Sequence, residues 1–167
     1  MTKSYRTRVY ELALANHGVV TTTMATANNI PAVELRKLAS RGAITRVAQG
    51  VYRSPFHPAD TVSKFREALE IAGPGSFLVG ESVLALLEMA GFTEFPIKVG
   101  ATMRVRKALP EGLKITRFGS QPELEEIRGL PCESVTSVLR QQRERLTPGS
   151  YAALAMQLRR FDKDLQL

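Results

Sequence analysis

Apolar positions along the chain fall into short periodic segments, and their spacing changes character several times. Over residues 5–16, Val9, Leu12 and Ala13 share one side of a predicted helix that His17 and Gly18 end. After Val20, any of Thr21, Thr22 and Thr23 can cap a short helix running to Ala27. Met24 and Ala27 are expected inside it, with small Ala25 permitting close helix approach. Asn28 and Asn29 make a turn, because asparagine tolerates the left-handed conformation. Ile30 is placed to plug the core, and Pro31 has the fixed φ suited to opening the next helix. Across residues 31–41, Leu35, Leu38 and Ala39 recur at helical spacing until Gly42. The pattern then turns β-like: Ile44, Val47, Val51 and Tyr52 supply two short strands around Ala48, Gln49 and Gly50. Helix, turn, helix and hairpin, in that order, describe a helix-turn-helix followed by a β-hairpin wing.

The remainder reads as a second, mixed region. Pro55 and Pro58 in the segment "SPFHPAD" mark a boundary at residues 54–60. A helix is predicted over 61–72, with Val62, Phe65, Leu69 and Ala72 near one face and Gly73, Pro74 and Gly75 ending it. A buried strand over 77–79, a helix over 82–89 and strands over 97–101 and 113–118 follow. In "PELEEIRG", Glu123, Glu125 and Glu126 are expected on the exposed side of a short helix. Helices over 133–146 and 150–165 close the chain. The last places Tyr151, Leu154, Ala155, Leu158 and Phe161 on a packed face and Gln157, Arg160, Lys163 and Asp164 toward water. The fold class expected is α+β: a winged helix-turn-helix over residues 1–56 and a small mixed α/β domain over 57–167.

Composition adds a bound and charge adds a direction. At 167 residues and 44% hydrophobic, the chain can bury a real core as one domain or two small ones. Its net charge of +7 is unevenly held. Residues 1–56 carry eight basic and two acidic side chains, whereas residues 57–167 carry fifteen and fourteen. Arg36, Lys37, Arg41, Arg46 and Arg53 all lie in "LRKLASRGAITRVAQGVYR", residues 35–53, which contains no carboxylate. A basic module joined to a near-neutral one points to a polyanion partner for the first and another task for the second.

Double-stranded DNA is the polyanion that this arrangement fits. With Leu35 inward, Val33, Arg36, Lys37 and Ser40 fall on the far side of their helix. An α-helix fits the major groove, where arginine pairs with guanine in bidentate fashion and valine meets a thymine methyl. Arg46 and Arg53 on the wing are expected near flanking phosphates, and Thr22 and Arg41 complete the expected contact set.

Other chemistry finds little support in the residues. His17, His57 and Cys132 are the only strong soft-metal ligands and match no zinc spacing, so neither a metal nor a cofactor is expected. "GESVL" has the look of a nucleophile elbow around Ser82, but Val83 and Leu84 stand where the second glycine belongs, and a helix start explains Ser82 equally. No glycine-rich phosphate loop occurs. One cysteine fits a reducing compartment. The apolar stretch 83–92 is interrupted by Glu88 and too short for a membrane span, and residues 12–15 are too short a run for a signal-peptide core. A soluble, cytoplasmic, non-enzymatic protein is expected.

The run "VVTTTMATANNIPAVELRKLASRGAITRVAQGVYR" resembles the N-terminal winged-helix domain of the AbiEi family, the antitoxins of type IV toxin-antitoxin systems. Ile30, Leu35, Leu38, Gly42 and the closing Gly50, Val51, Tyr52 and Arg53 carry the likeness. More weakly, "FLVGESVLALLEMAGF", "PIKVGA", "LKITRFG" and "GLPCESVTSVL" resemble the family's later elements. Residues 136–140 depart from its Arg-Thr-Leu-Leu-Asp-like run. The resemblance implies a repressor of its own operon that binds inverted repeats through the winged helix. It also implies a C-terminal domain that counters a nucleotidyltransferase toxin. Two alternatives stay open: a free-standing winged-helix repressor whose C-terminal domain binds a ligand or dimerises, and a hydrolase using Ser82 and His57.

Overall fold

The computed structural model describes residues 1–161. The chain divides into two compact units, the first comprising residues 1–74 with 106–110, the second 75–105 with 111–161 of the described chain. In the first unit the elements are α1 (Tyr5–Ala15), β1 (Val19–Thr21), α2 (Thr22–Ala27), α3 (Ala32–Ser40), β2 (Thr45–Ala48), β3 (Val51–Arg53) and α4 (Thr61–Ala72). The strands form an antiparallel sheet of order β1-β3-β2. Val20 sits opposite Tyr52 on one side of β3, and Arg46 opposite Tyr52 on the other. Strand β1 is an addition to the expected hairpin.

Local chemistry accounts for each junction. Ser4 caps α1 by accepting from the Thr7 amide, and Thr21 caps α2 by accepting from Met24. Asn29 takes φ 55°, the left-handed turn expected of it, and the Ile30 amide then donates back to the Ala25 carbonyl at 2.9 Å. Ile30 enters a core with Val9, Ala13, Val20, Ala25, Leu35, Leu38, Ile44 and Tyr52. Within α2 the inward residue is Ala25; Ala27 is exposed and Met24 half-buried, contrary to the expected facing. The short α2 packs on α1 and α3, and Ala25 is wholly buried there.

Helix α4 belongs to the first unit, packing on β1 and β3 through Phe65, Ala68, Leu69 and Ile71, all buried. The structural division therefore falls at residues 74–75 and not within 54–60, where the prolines only turn the chain. Asp60 caps α4, its Oδ1 accepting from the Ser63 amide at 2.7 Å. That backbone hydrogen bond leads the causes holding its carboxyl below the usual range. A depressed carboxylate contributes its stability above the unfolded pKa and loses it as pH falls through the folded value. Asp60→Ala is accordingly expected to lose about 1 kcal/mol at neutral pH. The gap from wild type should narrow below about pH 4 in denaturant titrations; a pH-independent gap would contradict the cap.

The second unit is a five-stranded mixed sheet of order β6-β5-β4-β8-β7. Its strands are β4 (Phe77–Leu78), β5 (Ile97–Ala101), β6 (Leu113–Arg117), β7 (Leu124–Ile127) and β8 (Leu130–Glu133); α5 (Glu81–Leu86) connects β4 to β5, and α6 (Val135–Gln142) and α7 (Pro148–Phe161) follow β8. β5 with β6 and β4 with β8 run parallel, the other pairs antiparallel. The acidic segment expected as a helix is strand β7. Arg128 and Gly129 at φ 50° and 76° close a two-residue turn of the kind whose twist matches a hairpin, so β7 and β8 pair directly. Glu133 ends a strand instead of opening a helix. It is buried, and its carboxylate accepts from the Gly80 amide, the Ser137 hydroxyl and the Gln141 amide nitrogen.

The closing helix buries Leu154, Ala155 and Leu158 as expected, but leaves Phe161 exposed. Gln157 is half-buried and accepts from the Ala90 amide at 3.1 Å, which water was expected to supply. The expected positions of Lys163, Asp164 and the helix end at Leu165 lie outside the described residues.

Candidate nucleic-acid interface

Helix α3 has two chemically opposed sides. Leu35 and Leu38 are buried, 0% and 7% exposed, which fixes the helix against α1 and α2. Val33 is 40% exposed, and Arg36, Lys37, Ser40 and Arg41 are all exposed. Five of the residues expected to meet DNA thus share the outer surface of one helix. Lys37 reaches Glu34 at 2.8 Å, one turn away. Such an exposed pair is worth about 0.3–0.5 kcal/mol, so a phosphate can replace it. The Ser40 hydroxyl donates to the Lys37 carbonyl at 3.0 Å and still has lone pairs to offer.

The wing places Arg46 on β2, exposed, at the edge of the sheet. Gly50 takes φ 71° at the tip, as the tight turn requires. Thr22 stands at the start of α2 beside the wing tip. Its amide donates to the Gly50 carbonyl at 2.9 Å, and its hydroxyl side lies against Gly50, so it ties the wing tip to the start of α2. Arg53 is likewise committed within its own unit. Its Nε and Nη2 reach the two carboxylate oxygens of Glu67 on α4 at 2.7 and 2.6 Å, and that hydrogen-bonded pair raises the guanidinium pKa further. Bidentate pairs of this geometry are the strong ones. Arg53 therefore anchors β3 to α4, in contrast to the free wing cation expected from its position.

Sequence reasoning passed over a second basic feature. Arg6 and Arg41 line a cleft of about 380 Å³ with Ser4, Tyr5, Glu34 and Leu38, between the start of α1 and the end of α3. Arg6 is remote from the basic run in sequence, and only the packing of α1 on α3 brings it there.

Ser82 and Cys132, two of the residues weighed for catalysis and metal binding, are buried. Ser82 is 1% exposed and its hydroxyl oxygen accepts from the Lys98 amide at 2.7 Å. The strained residue between β4 and α5 is Gly80, at φ 55° and ψ −131°, so the elbow carries no nucleophile. Burial pushes the Cys132 thiol up to about 12, keeping it protonated at neutral pH. Among the described residues no group of three His, Cys, Asp or Glu is placed to hold a metal.

Residues 5–53 form a winged helix-turn-helix, the class that docks its second motif helix in the major groove. The comparison with known families agrees: residues 8–55 match the family model described as "Transcriptional regulator, AbiEi antitoxin". The match begins inside α1 and ends just after β3, so the family pattern lies on the winged helix itself. No curated protein matches the chain. Among the described residues no helix is long and apolar enough to cross a membrane.

Proposed function

We propose that this chain is a DNA-binding antitoxin that represses its own operon through the winged helix and counters a nucleotidyltransferase toxin through its second unit. The observation that carries the DNA-binding half is α3, a helix locked by Leu35 and Leu38 with Val33, Arg36, Lys37, Ser40 and Arg41 turned outward. The toxin half rests on the family match at residues 8–55 and on the near-neutral second region. In this reading Val33 and Arg36 reach base edges, Lys37, Ser40, Arg41 and Arg46 hold phosphates, Thr22 positions the wing, and Arg53 supports it from behind.

Binding measured on the chain's own promoter DNA and on random duplex tests the assignment. Arg36→Ala is expected to weaken promoter binding by about 1–3 kcal/mol and relax the preference at one base position. Arg46→Ala should weaken both DNAs alike and reduce the salt slope by about one unit, through one fewer released counterion. An unchanged promoter-to-random ratio in Arg36→Ala would remove α3 as the reading element. For the antitoxin half, co-expression with an adjacent nucleotidyltransferase gene is expected to restore growth, and persistent toxicity would refute it.

A further inference from the structure

The second unit holds a concave site that neither the winged helix nor the family match uses. It is a cleft of about 410 Å³ at the start of the parallel strands β5 and β6. Its walls come from Glu81, the 91–96 loop with Phe92 and Phe95, Lys98, Lys114, and the end of α6 with Gln142 and Arg145. Three features of its chemistry point one way.

First, its charges do not balance. Lys98 and Lys114 are direct partners in the β5–β6 register, a like-charge pair that is unfavourable without an anion nearby. The carboxylate of Glu81 answers only part of this. Lys98 Nζ takes Oε2 at 2.5 Å and Arg145 Nη1 takes Oε1 at 2.5 Å, so both oxygens are occupied. Among the described residues Lys114 is exposed and has no carboxylate partner. Three cations thus face one neutralised carboxylate. Second, part of the lining is aromatic: Phe92 is half-buried, and Phe95 is 55% exposed. Third, Gln142 lines the cleft while 2% exposed, and its amide nitrogen has no hydrogen-bond partner, a donor that burial alone penalises.

We infer that this cleft binds a nucleoside phosphate. Lys114 and Arg145 take the phosphate oxygens, Lys98 supports them from the floor, and the Phe92–Phe95 wall stacks the base. A bare anion would satisfy the cations and leave the aromatic wall idle, and an apolar ligand would do the reverse. Base–aromatic stacking and charge-assisted hydrogen bonds to phosphate together use both parts of the lining. The volume lies within the range of small-ligand sites. The same chemistry is offered by a free nucleotide and by a nucleotide within a single strand, and the two are separable by experiment.

The test is titration calorimetry on the full chain with ATP, AMP, inorganic pyrophosphate and a single-stranded oligonucleotide of about ten residues, a length that spans such sites. ATP or the oligonucleotide is expected to saturate below about 1 mM and pyrophosphate to bind at least about tenfold more weakly. Lys114→Ala and Phe95→Ala, both at exposed positions, should each weaken binding about tenfold. A tighter oligonucleotide with the same dependence identifies the nucleotide as part of a strand. Equal binding of pyrophosphate reduces the site to a cation cluster and overturns the inference. Binding indifferent to Lys114→Ala places the ligand outside the cleft and does the same, as does no saturation by any probe. None of these outcomes bears on promoter binding by α3, so the two readings fail separately.

Discussion

Replacing Leu35 by alanine is expected to destabilise the first unit by about 2–5 kcal/mol and to remove DNA binding with it. Leu35 is 0% exposed and stands where α1, α2, α3 and the wing sheet converge, among Val9, Ala13, Ala25, Ile30 and Tyr52. Its loss opens a void that these neighbours fill only in part, because Val9, Ala13 and Ala25 are held by their own helices and Tyr52 by the central strand. The contrast with Arg36, the next residue, gives the prediction its force. Arg36→Ala is expected to leave the fold intact and alter recognition, whereas Leu35→Ala leaves every outward α3 side chain in place and removes the platform. Amide exchange in α1 and α3 reads the first quantity and promoter binding the second. Protection in these helices lowered by less than about 1 kcal/mol would contradict the packing described, since ordinary surface changes reach half that.

The second large effect is expected at Gly100. It lies opposite Phe77 in the β4–β5 register, and the Phe77 and Phe118 rings meet edge to face at 5.1 Å. A Cβ on Gly100 would overlap both rings, and Phe77 is wholly buried and has nowhere to turn. Gly100→Ala should therefore destabilise the second unit by about 1–3 kcal/mol, the ordinary range for overpacking, even though its backbone suits any residue. A compensating change distinguishes overlap from a general loss. Phe118 is only half-buried, so Phe118→Leu is tolerable alone and should recover part of the loss in the double variant. Strict additivity of the two changes in a thermodynamic cycle would exclude Phe118 from the overlap.

Much of the first unit was legible because its signals are local. The asparagine pair, the Leu35 and Leu38 spacing, Gly42 and Gly50 each act within a few residues, and the helices and the wing follow from them. Strand β1 escaped because three residues, Val19–Thr21, present no period, and they become a strand only when β3 is there to pair. In the acidic segment, Leu124 and Ile127 stand three apart and imitate a helical face. The opposing signal was the Arg128–Gly129 turn followed by the alternation of Leu130 and Cys132. Helix α4 was found in place, but an amphipathic face does not say which core it will join. The pairing of Arg53 with Glu67 has the same origin: both residues are ordinary surface charges until α4 packs on β3. In the candidate interface, residue type and helical phase revealed the outward α3 side chains. They could not reveal which cations would be bound by partners on other elements.

The parallel pairing of Leu78 with Cys132 has a consequence in time. β4 cannot take its place beside β8 until the chain has been made as far as Glu133, and β5 and β6 must likewise close the loop between them. Contacts so distant along the chain form slowly, whereas those of a small helical motif form quickly. Domains emerging from the ribosome fold in order from the N-terminus. On a nascent chain, then, the helix that faces outward with Arg36 is finished while the sheet holding Gly100 is still being synthesised, and each new molecule matures from its winged-helix end.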